Sequence, residues 1–289
     1  MRLGLVANAL LAIAKGIAGA LGHSYALLAD AAESAADVGG SIVVWSALRV
    51  SAQSPDFDHP YGHGKAEPLA AAGVGVLLCL AALGIMVKAV AATVSPHRAP
   101  APFTLGVLVL VIAVKMTLAK TVLKAADDAG SRALAADAWH HRADVVTSAA
   151  AFVGISAALL GGPGWEWCDG AAGSIASIVV FMNGMHILRP ALHELMDGAP
   201  DIQVLERVFV AARSVSGVRL IEHLKARKLG AHFLVDLHAQ ADPEMSLDQA
   251  HLLSGRIKTA VREAVPAVQD VLVHMEPFHQ PSGEGMASR

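Results

Sequence analysis

Two short stretches of this chain are near copies of each other, and both carry side chains able to hold a divalent cation. The first is Ala29-Asp30-Ala31-Ala32-Glu33-Ser34-Ala35-Ala36-Asp37-Val38 and the second is Ala136-Asp137-Ala138-Trp139-His140-His141-Arg142-Ala143-Asp144-Val145. Each sets a potential ligand four residues before its final aspartate: Glu33 before Asp37, and His140 before Asp144. Four residues along an α-helix turn through about 400°, so each pair shares one face with its Cβ atoms about 6 Å apart. Two such pairs facing each other offer three carboxylates and one imidazole, enough to close a tetrahedral shell around a divalent ion. Asp30 and Asp137 lie one turn before the pairs on roughly the same face, where they could orient a ligand or gate access. His141 points about 100° away from His140 and is a bystander.

The elements that must position these residues are apolar. The chain has 289 residues, 54% of them hydrophobic and 16% charged, and its mean hydropathy is +0.51. Residues 68–87 and 145–165 contain no Asp, Glu, Lys, Arg or His, and about 20 such residues cross a hydrocarbon core as a helix. Six spans are expected, at about 3–22, 24–49, 66–93, 102–125, 134–160 and 169–189. Lys15 interrupts the first apolar run, which argues against a cleaved signal peptide. The net charge of −3 gives no sign of nucleic-acid binding. Cys79 and Cys168 are far apart and suggest no disulfide framework.

Arg2, Arg49, Lys65, Lys120, Lys124, Arg132 and Arg189 gather at one set of span ends, against Arg98 with Glu166 and Asp169 at the other. The excess of positive charge puts both termini in the cytoplasm. The second and fifth spans then run in opposite directions, as in an inverted repeat. Glu33, Asp37 and Asp144 fall within spans with no embedded Lys or Arg at helical spacing to neutralise all of them. Ionisable groups there are costly, so a bound cation is the expected reason for them.

From about Pro200 the chain turns charged and alternating. The expected division is a transport domain of residues 1–196 and a soluble domain of residues 197–289. The tail reads as a helix over 201–214, strands over 218–227 and 231–240, a helix from 247 to about 263 and a strand over 269–276. This is an α+β unit of order αββαβ, ferredoxin-like without its first strand. Ala231, Phe233, Val235, Leu237 and Ala239 form the inner face of the second strand. Ser246 with Gln249 is a capping box. Leu247, Ala250, Ser254, Ile257, Val261 and Ala264 read as the inner stripe of the helix it opens.

Two other clusters have ligand types at suitable spacing. Asp56, His59 and His63 lie in the 50–65 loop among Pro60 and glycines that mark a turn. The tail holds six of the fourteen histidines; His274 shares a strand face with Glu276, and His238 shares one with His232 and Asp236. His193-Glu194-Leu195-Met196-Asp197 lacks the second histidine of the zinc-protease pattern.

Leu-Leu-Ala-Asp30-Ala…Ser34…Asp37, His59-Pro-Tyr-Gly-His63-Gly-Lys65-Ala-Glu67, Asp137-Ala-Trp-His-His-Arg…Asp144 and Val-His274-Met-Glu276-Pro277 together resemble the cation diffusion facilitator family of metal–proton antiporters, over essentially the whole chain. The resemblance implies a six-span homodimer in the lipid bilayer, with a cytoplasmic αββαβ, metallochaperone-like domain. It implies export of Zn2+ or a related ion such as Cd2+, Fe2+ or Mn2+ in exchange for protons, across what would be a bacterial inner membrane. It carries the transport site onto Glu33, Asp37, His140 and Asp144, and the loop site onto Asp56, His59 and His63. A regulatory Zn2+ site falls on Glu222, His238, His251, His274 and Glu276, and a dimer-locking salt bridge on Lys65 and Asp197. Glu33 departs from the usual His or Asp of the family.

Metal ligands must lose protons to bind and can regain them on release, which couples the two movements with no Gly-x-x-x-x-Gly-Lys-Ser/Thr ATPase motif. A membrane-embedded zinc hydrolase with the same ligands would need an open coordination position, and two closed pairs leave no obvious one. A sensor that moves no metal shares the ligands and is separated only by measuring flux.

Overall fold

The computed structural model describes residues 2–94, 99–129, 132–162 and 164–279, with side chains described throughout except at 2–5, 41, 44, 48, 125–129 and 132–143. Six helices come first: α1 (Arg2–Leu21), α2 (Tyr25–Ser51), α3 (Ala66–Val94), α4 (Phe103–Ala129), α5 (Arg132–Leu160) and α6 (Trp167–Leu195). They are followed by α7 (Ile202–Arg213), β1 (Leu220–Leu229), β2 (His232–Ala241), α8 (Leu247–Ala264) and β3 (Val268–Pro277). The chain forms two compact units, Met1–Ser46 with Ala70–Arg189, and Ala47–Leu69 with Pro190–Arg289. The second unit thus takes in the 50–65 loop, which the expected boundary assigned to the transport domain. The reason is contact: Gly64 lies so close to Leu229 that a Cβ there would sit 2.6 Å from its Cγ.

In the first unit, Ala66–Val94, Phe103–Lys124 and Trp167–Leu195 are long and apolar enough to cross a membrane, among the described residues. Val6–Leu21 and Asp144–Leu160 are shorter apolar helices, and α2 is diluted by Asp30, Glu33 and Asp37. Leu77, Leu80, Leu110, Val153 and Ile175 face outward, the arrangement of a helical bundle whose solvent is hydrocarbon. Inside, Ala18, Ala26 and Leu27 meet Leu108, Ala151 and Ile155, while Leu78 and Ala82 meet Val180. Lipid tails give no hydrophobic push, so contact depends on close fit. At Gly184 a Cβ would come within 2.7 Å of Cys79 Sγ, and at Gly173 within 2.8 Å of Tyr25.

Helix α2, which carries Asp30, Glu33 and Asp37, is fixed at its start. His23 takes a left-handed φ of 53°, turning the chain so that the Ser24 N–H donates to the Gly19 carbonyl at 3.0 Å. Ser24 Oγ accepts from the Leu27 N–H at 3.2 Å. The fully buried Asp169, in the first turn of α6, accepts from Ser24 Oγ at 2.6 Å, from the Tyr25 N–H at 2.7 Å and from the Ala26 N–H at 3.4 Å. A helix start has backbone donors without intrahelical partners and a positive dipole end. A carboxylate from α6 answers both. α6 itself continues through Pro190 to Leu195 rather than ending at 189; proline removes one backbone donor without stopping this helix.

In the second unit a three-stranded sheet has the order β1-β2-β3, with β1 and β2 antiparallel and β2 and β3 parallel across the α8 crossover. Val235, Leu237 and Ala239 face a core with Val208, Ala212, Ile221, Leu253, Ile257, Val261 and Val271, as the alternation predicts. The reciprocal Ser246–Gln249 capping box is formed. The inner stripe of α8 is corrected: Leu253, Ile257 and Val261 are buried, whereas Leu247 is 86% exposed. Leu247 is the first residue after the cap, ahead of Leu253, the first buried residue of the helix. β1 begins at Leu220 and carries a bulge between Glu222 and Lys225, with His223 at a φ of 48°.

Replacing Asp169 by Ala should leave the start of α2 with orphaned donors. The expected cost is roughly 1.5–3 kcal/mol, the range for charge-assisted hydrogen bonds. A lower unfolding midpoint in detergent checks it; an unchanged midpoint would show that Asp169 does not anchor α2.

Candidate metal sites

α2 puts Asp30, Glu33 and Asp37 on neighbouring turns, and α5 contributes Asp144. Glu33 lies within electrostatic range of Asp30, Asp37 and Asp144. Its Oε1 accepts from Asn183 Nδ2 of α6 at 2.9 Å. His140, Asp137 and His141 lie outside the residues with described side chains. Among the described residues, Glu33, Asp37 and Asp144 do not form a group with ligand atoms within 4.8 Å of one another.

Two embedded lysines on other helices meet part of this charge, though neither forms an ion pair with Glu33. Lys115 of α4 forms an ion pair with Asp144 Oδ2. Lys15 of α1 sits 2.7 Å from Asp30 Oδ2 and donates to Ser34 Oγ at 3.0 Å and Ser148 Oγ at 3.2 Å. Ser148 Oγ in turn donates to Asp30. All of these groups are buried. An ionised group removed from water persists only when paired and hydrogen-bonded, and here the partners come from other helices. The rule that singled out the carboxylates also singles out Lys115, a lone charge within the apolar run of α4. Asn183 gave no such signal, being neutral.

The loop cluster is formed. Asp56, His59 and His63 bring ligand atoms within 4.8 Å of one another. Asp56 Oδ1 accepts from the His59 N–H at 2.6 Å, and Asp56 Oδ2 lies 3.4 Å from His63 Nε2. The His59 amide, and then the two rings, hold the Asp56 carboxyl below the usual aspartate range. The turn depends on Gly62, whose φ is 88°. A carboxylate and two imidazoles on an exposed loop form a donor set suited to zinc.

In the tail, pairing aligns Glu222, His238 and His274 across the three strands on the face opposite the core. His238, His274 and Glu276 bring ligand atoms within 4.8 Å of one another, with His238 Nδ1 2.7 Å from Glu276 Oε1. His251 is not in this group: it lies on α8, which packs against the other face of the sheet. Glu222 is held by Gln240 Nε2 at 2.9 Å instead. His223 was not anticipated; its ring stacks edge-on to His238 at 5.0 Å, brought there by the bulge.

Lys65 and Asp197 pair at 2.6 Å within one chain. α6 ends in a Schellman turn: Gly198 N–H donates to the His193 carbonyl, Asp197 N–H to the Glu194 carbonyl, and Asp197 takes the left-handed position with a φ of 57°. Lys65 also donates to the Glu194 and Leu195 carbonyls, so its ammonium caps the negative end of the helix. Arg227 bonds the other oxygen of Asp197 at 3.1 Å. The Lys65 hydrogen bond, aided by Arg227, holds the Asp197 carboxyl below its ordinary range.

A bundle of apolar helices with paired ions in its interior, followed by a separate α/β domain, defines an integral membrane protein built to handle cations. Residues 1–196 match the cation efflux transmembrane domain, and residues 200–278 match the cation efflux protein, cytoplasmic domain. The chain belongs to the cation diffusion facilitator family, which carries out divalent metal efflux. It is 31% identical to the manganese efflux system protein MneP of Bacillus subtilis (strain 168), over 96% of this chain and 94% of that one. It is also 31% identical to metal tolerance protein C1 of Arabidopsis thaliana, over 96% of this chain and 61% of the relative. A match to the magnetosome protein MamB of Magnetospirillum gryphiswaldense is 29% identical over 91% and 88% of the two chains. The solved structure MamM-CTD 215-293 matches 27% of this chain and 98% of its own at 31% identity, with a TM-score of 0.26.

Because the Asp197 pKa is depressed on folding, its contribution is present above the unfolded value of about 3.9 and is lost as pH falls through the folded value. Asp197→Asn keeps the left-handed residue and removes only the charge. The partly exposed site limits the cost at pH 7 to about 1 kcal/mol. Unfolding midpoints of the two proteins should converge as pH falls below about 4; a gap that persists there would exclude the charge as its cause.

Proposed function

We propose that the chain exports a divalent first-row metal from the cytoplasm in exchange for protons, with Zn2+ as the first cargo. The site is Glu33, Asp37, His140 and Asp144, opened alternately to each side of the membrane. The observation that carries this reading is the placing of Asp30 and Asp144, from α2 and α5, in the interior of the membrane unit, with Glu33 within electrostatic range of both. Each ligand must be free of its proton to bind metal and can take one on release, so one site serves both ions. A hydrolase has no support here, since the family is one of transporters.

A second reading, Mn2+, is favoured by two observations. Three of the four ligands are oxygen donors, which suit harder ions, and a 31%-identical relative is a manganese efflux protein. Glu33 is where the two readings divide, because an imidazole in its place would shift the site toward zinc.

The same proposal makes Asp56, His59 and His63, and His238, His274 and Glu276, sites for a regulatory Zn2+. Metal on the tail would draw two copies together as a homodimer, with His251 and Glu222 available to a site shared between chains. Lys65 and Asp197 would brace that assembly by fixing the end of α6. Both termini would be cytoplasmic, in a bacterial inner membrane.

Proteoliposomes test this. Asp37→Ala, His140→Ala and Asp144→Ala should each abolish metal-driven proton release, and near-normal flux in any one would exclude the site. Competition among zinc, cadmium, manganese and iron(II) decides the cargo. Glu33→His should retain zinc flux while narrowing the range of other metals carried, and an unchanged profile would remove Glu33 from selectivity.

A further inference from the structure

The two buried lysines are bonded very differently. Lys15 has three acceptors for its ammonium: Asp30, Ser34 and Ser148, at 2.7, 3.0 and 3.2 Å. An ammonium carries three N–H donors, so this one is fully satisfied. Lys115 is as deeply buried, yet among the described residues its one acceptor is Asp144 Oδ2. Among those residues it therefore leaves two donors unanswered, in a place where an unanswered donor is costly. The first arrangement is a fixed brace between α1, α2 and α5. The second is a cation held by one contact, and that contact is a carboxylate assigned above to the transport site.

We propose that Lys115 is a resident stand-in for the metal: its ammonium holds Asp144 while the site is empty, and metal loads by displacing it. This rests on Asp144 being a transport ligand. The ammonium and a divalent ion cannot both sit against Asp144 without strong like-charge repulsion, which is weakly screened in the interior. The lysine stem is flexible and its head is a compact point charge, so it can leave and return without the helices separating. The arrangement lowers apparent affinity, because metal binds only the fraction of molecules in which Lys115 has let go. A transporter benefits from that, since a site that binds too tightly does not release.

The test uses the full chain in detergent, with Asp56, His63, His238 and His274 replaced by Ala so that zinc reports the membrane site. Lys115→Met should tighten zinc binding by about tenfold or more, because the competitor is gone. Lys115→Arg, which keeps a cation, should tighten it far less, and Lys15→Met should lower stability without tightening it. Asp144→Asn should abolish binding with or without Lys115→Met. Unchanged or weaker binding in Lys115→Met, with Asp144→Asn still inactive, overturns the stand-in while leaving the site assignment intact. Undiminished binding in Asp144→Asn overturns the site assignment itself. Should Lys115→Met fail to fold, the unsubstituted chain answers: adding zinc should raise the labelling of Lys115 by a membrane-permeant amine reagent several-fold, read by peptide mass spectrometry. No rise overturns the proposal.

Discussion

Charge placed in hydrocarbon has to be met within reach of a hydrogen bond, and the membrane unit is arranged around that requirement. Asp30 and Asp144 are met by lysines from α1 and α4, Glu33 by an amide from α6, and Asp169 by the open backbone donors at the start of α2. In each case the partner lies on a different helix. The bonds that neutralise the ions therefore also set which helices are neighbours, and no separate device is needed to bring α2 and α5 to a common site. Removing one partner from such a pair leaves an uncompensated buried charge, which is far more damaging than losing a surface ion pair.

α6 has a part in most of these arrangements. Its first turn caps α2 through Asp169, its Gly173 and Gly184 let backbones approach closely, and Asn183 steadies Glu33. Its last turn ends in a Schellman motif held by Lys65 and Asp197. One helix thus carries small residues where packing requires nearness, and polar ones where another helix presents a charge or an open backbone donor. That division matches the physics of helix association in lipid, where fit and hydrogen bonds replace the hydrophobic effect.

The tail domain solves its problem in water, with an ordinary apolar core on one face of the sheet. The other face is left to polar chemistry, and strand register puts Glu222, His238 and His274 in one row. The bulge in β1 turns His223 toward that row at the cost of a left-handed backbone at a residue with a side chain. His251, though of ligand type, is on the far side of the core, so within one chain it cannot join.

Much of this architecture is written in local pattern. Hydropathy runs longer than 20 residues required a membrane bundle, and two-residue alternation with a capping box required the αββαβ tail, because both patterns act locally along the chain. The four-residue spacing of Glu33 and Asp37 was legible too, since a helix puts such residues on one face. The loop cluster also followed, because its three residues are near in sequence. Which distant groups meet was not legible in that pattern and emerged with the packing of the helices. Lys115 stands 29 residues from Asp144, and Asn183 stands 150 from Glu33. No periodicity relates such positions, and their pairing depends on how the helices pack. The inner stripe of α8 was misread for a related reason: Leu247 has the right residue type, but the cap at Ser246 starts the helix just outside the core. Local pattern fixes what a segment becomes and which face it offers. Only packing fixes what that face meets, and here that includes Lys115 against Asp144.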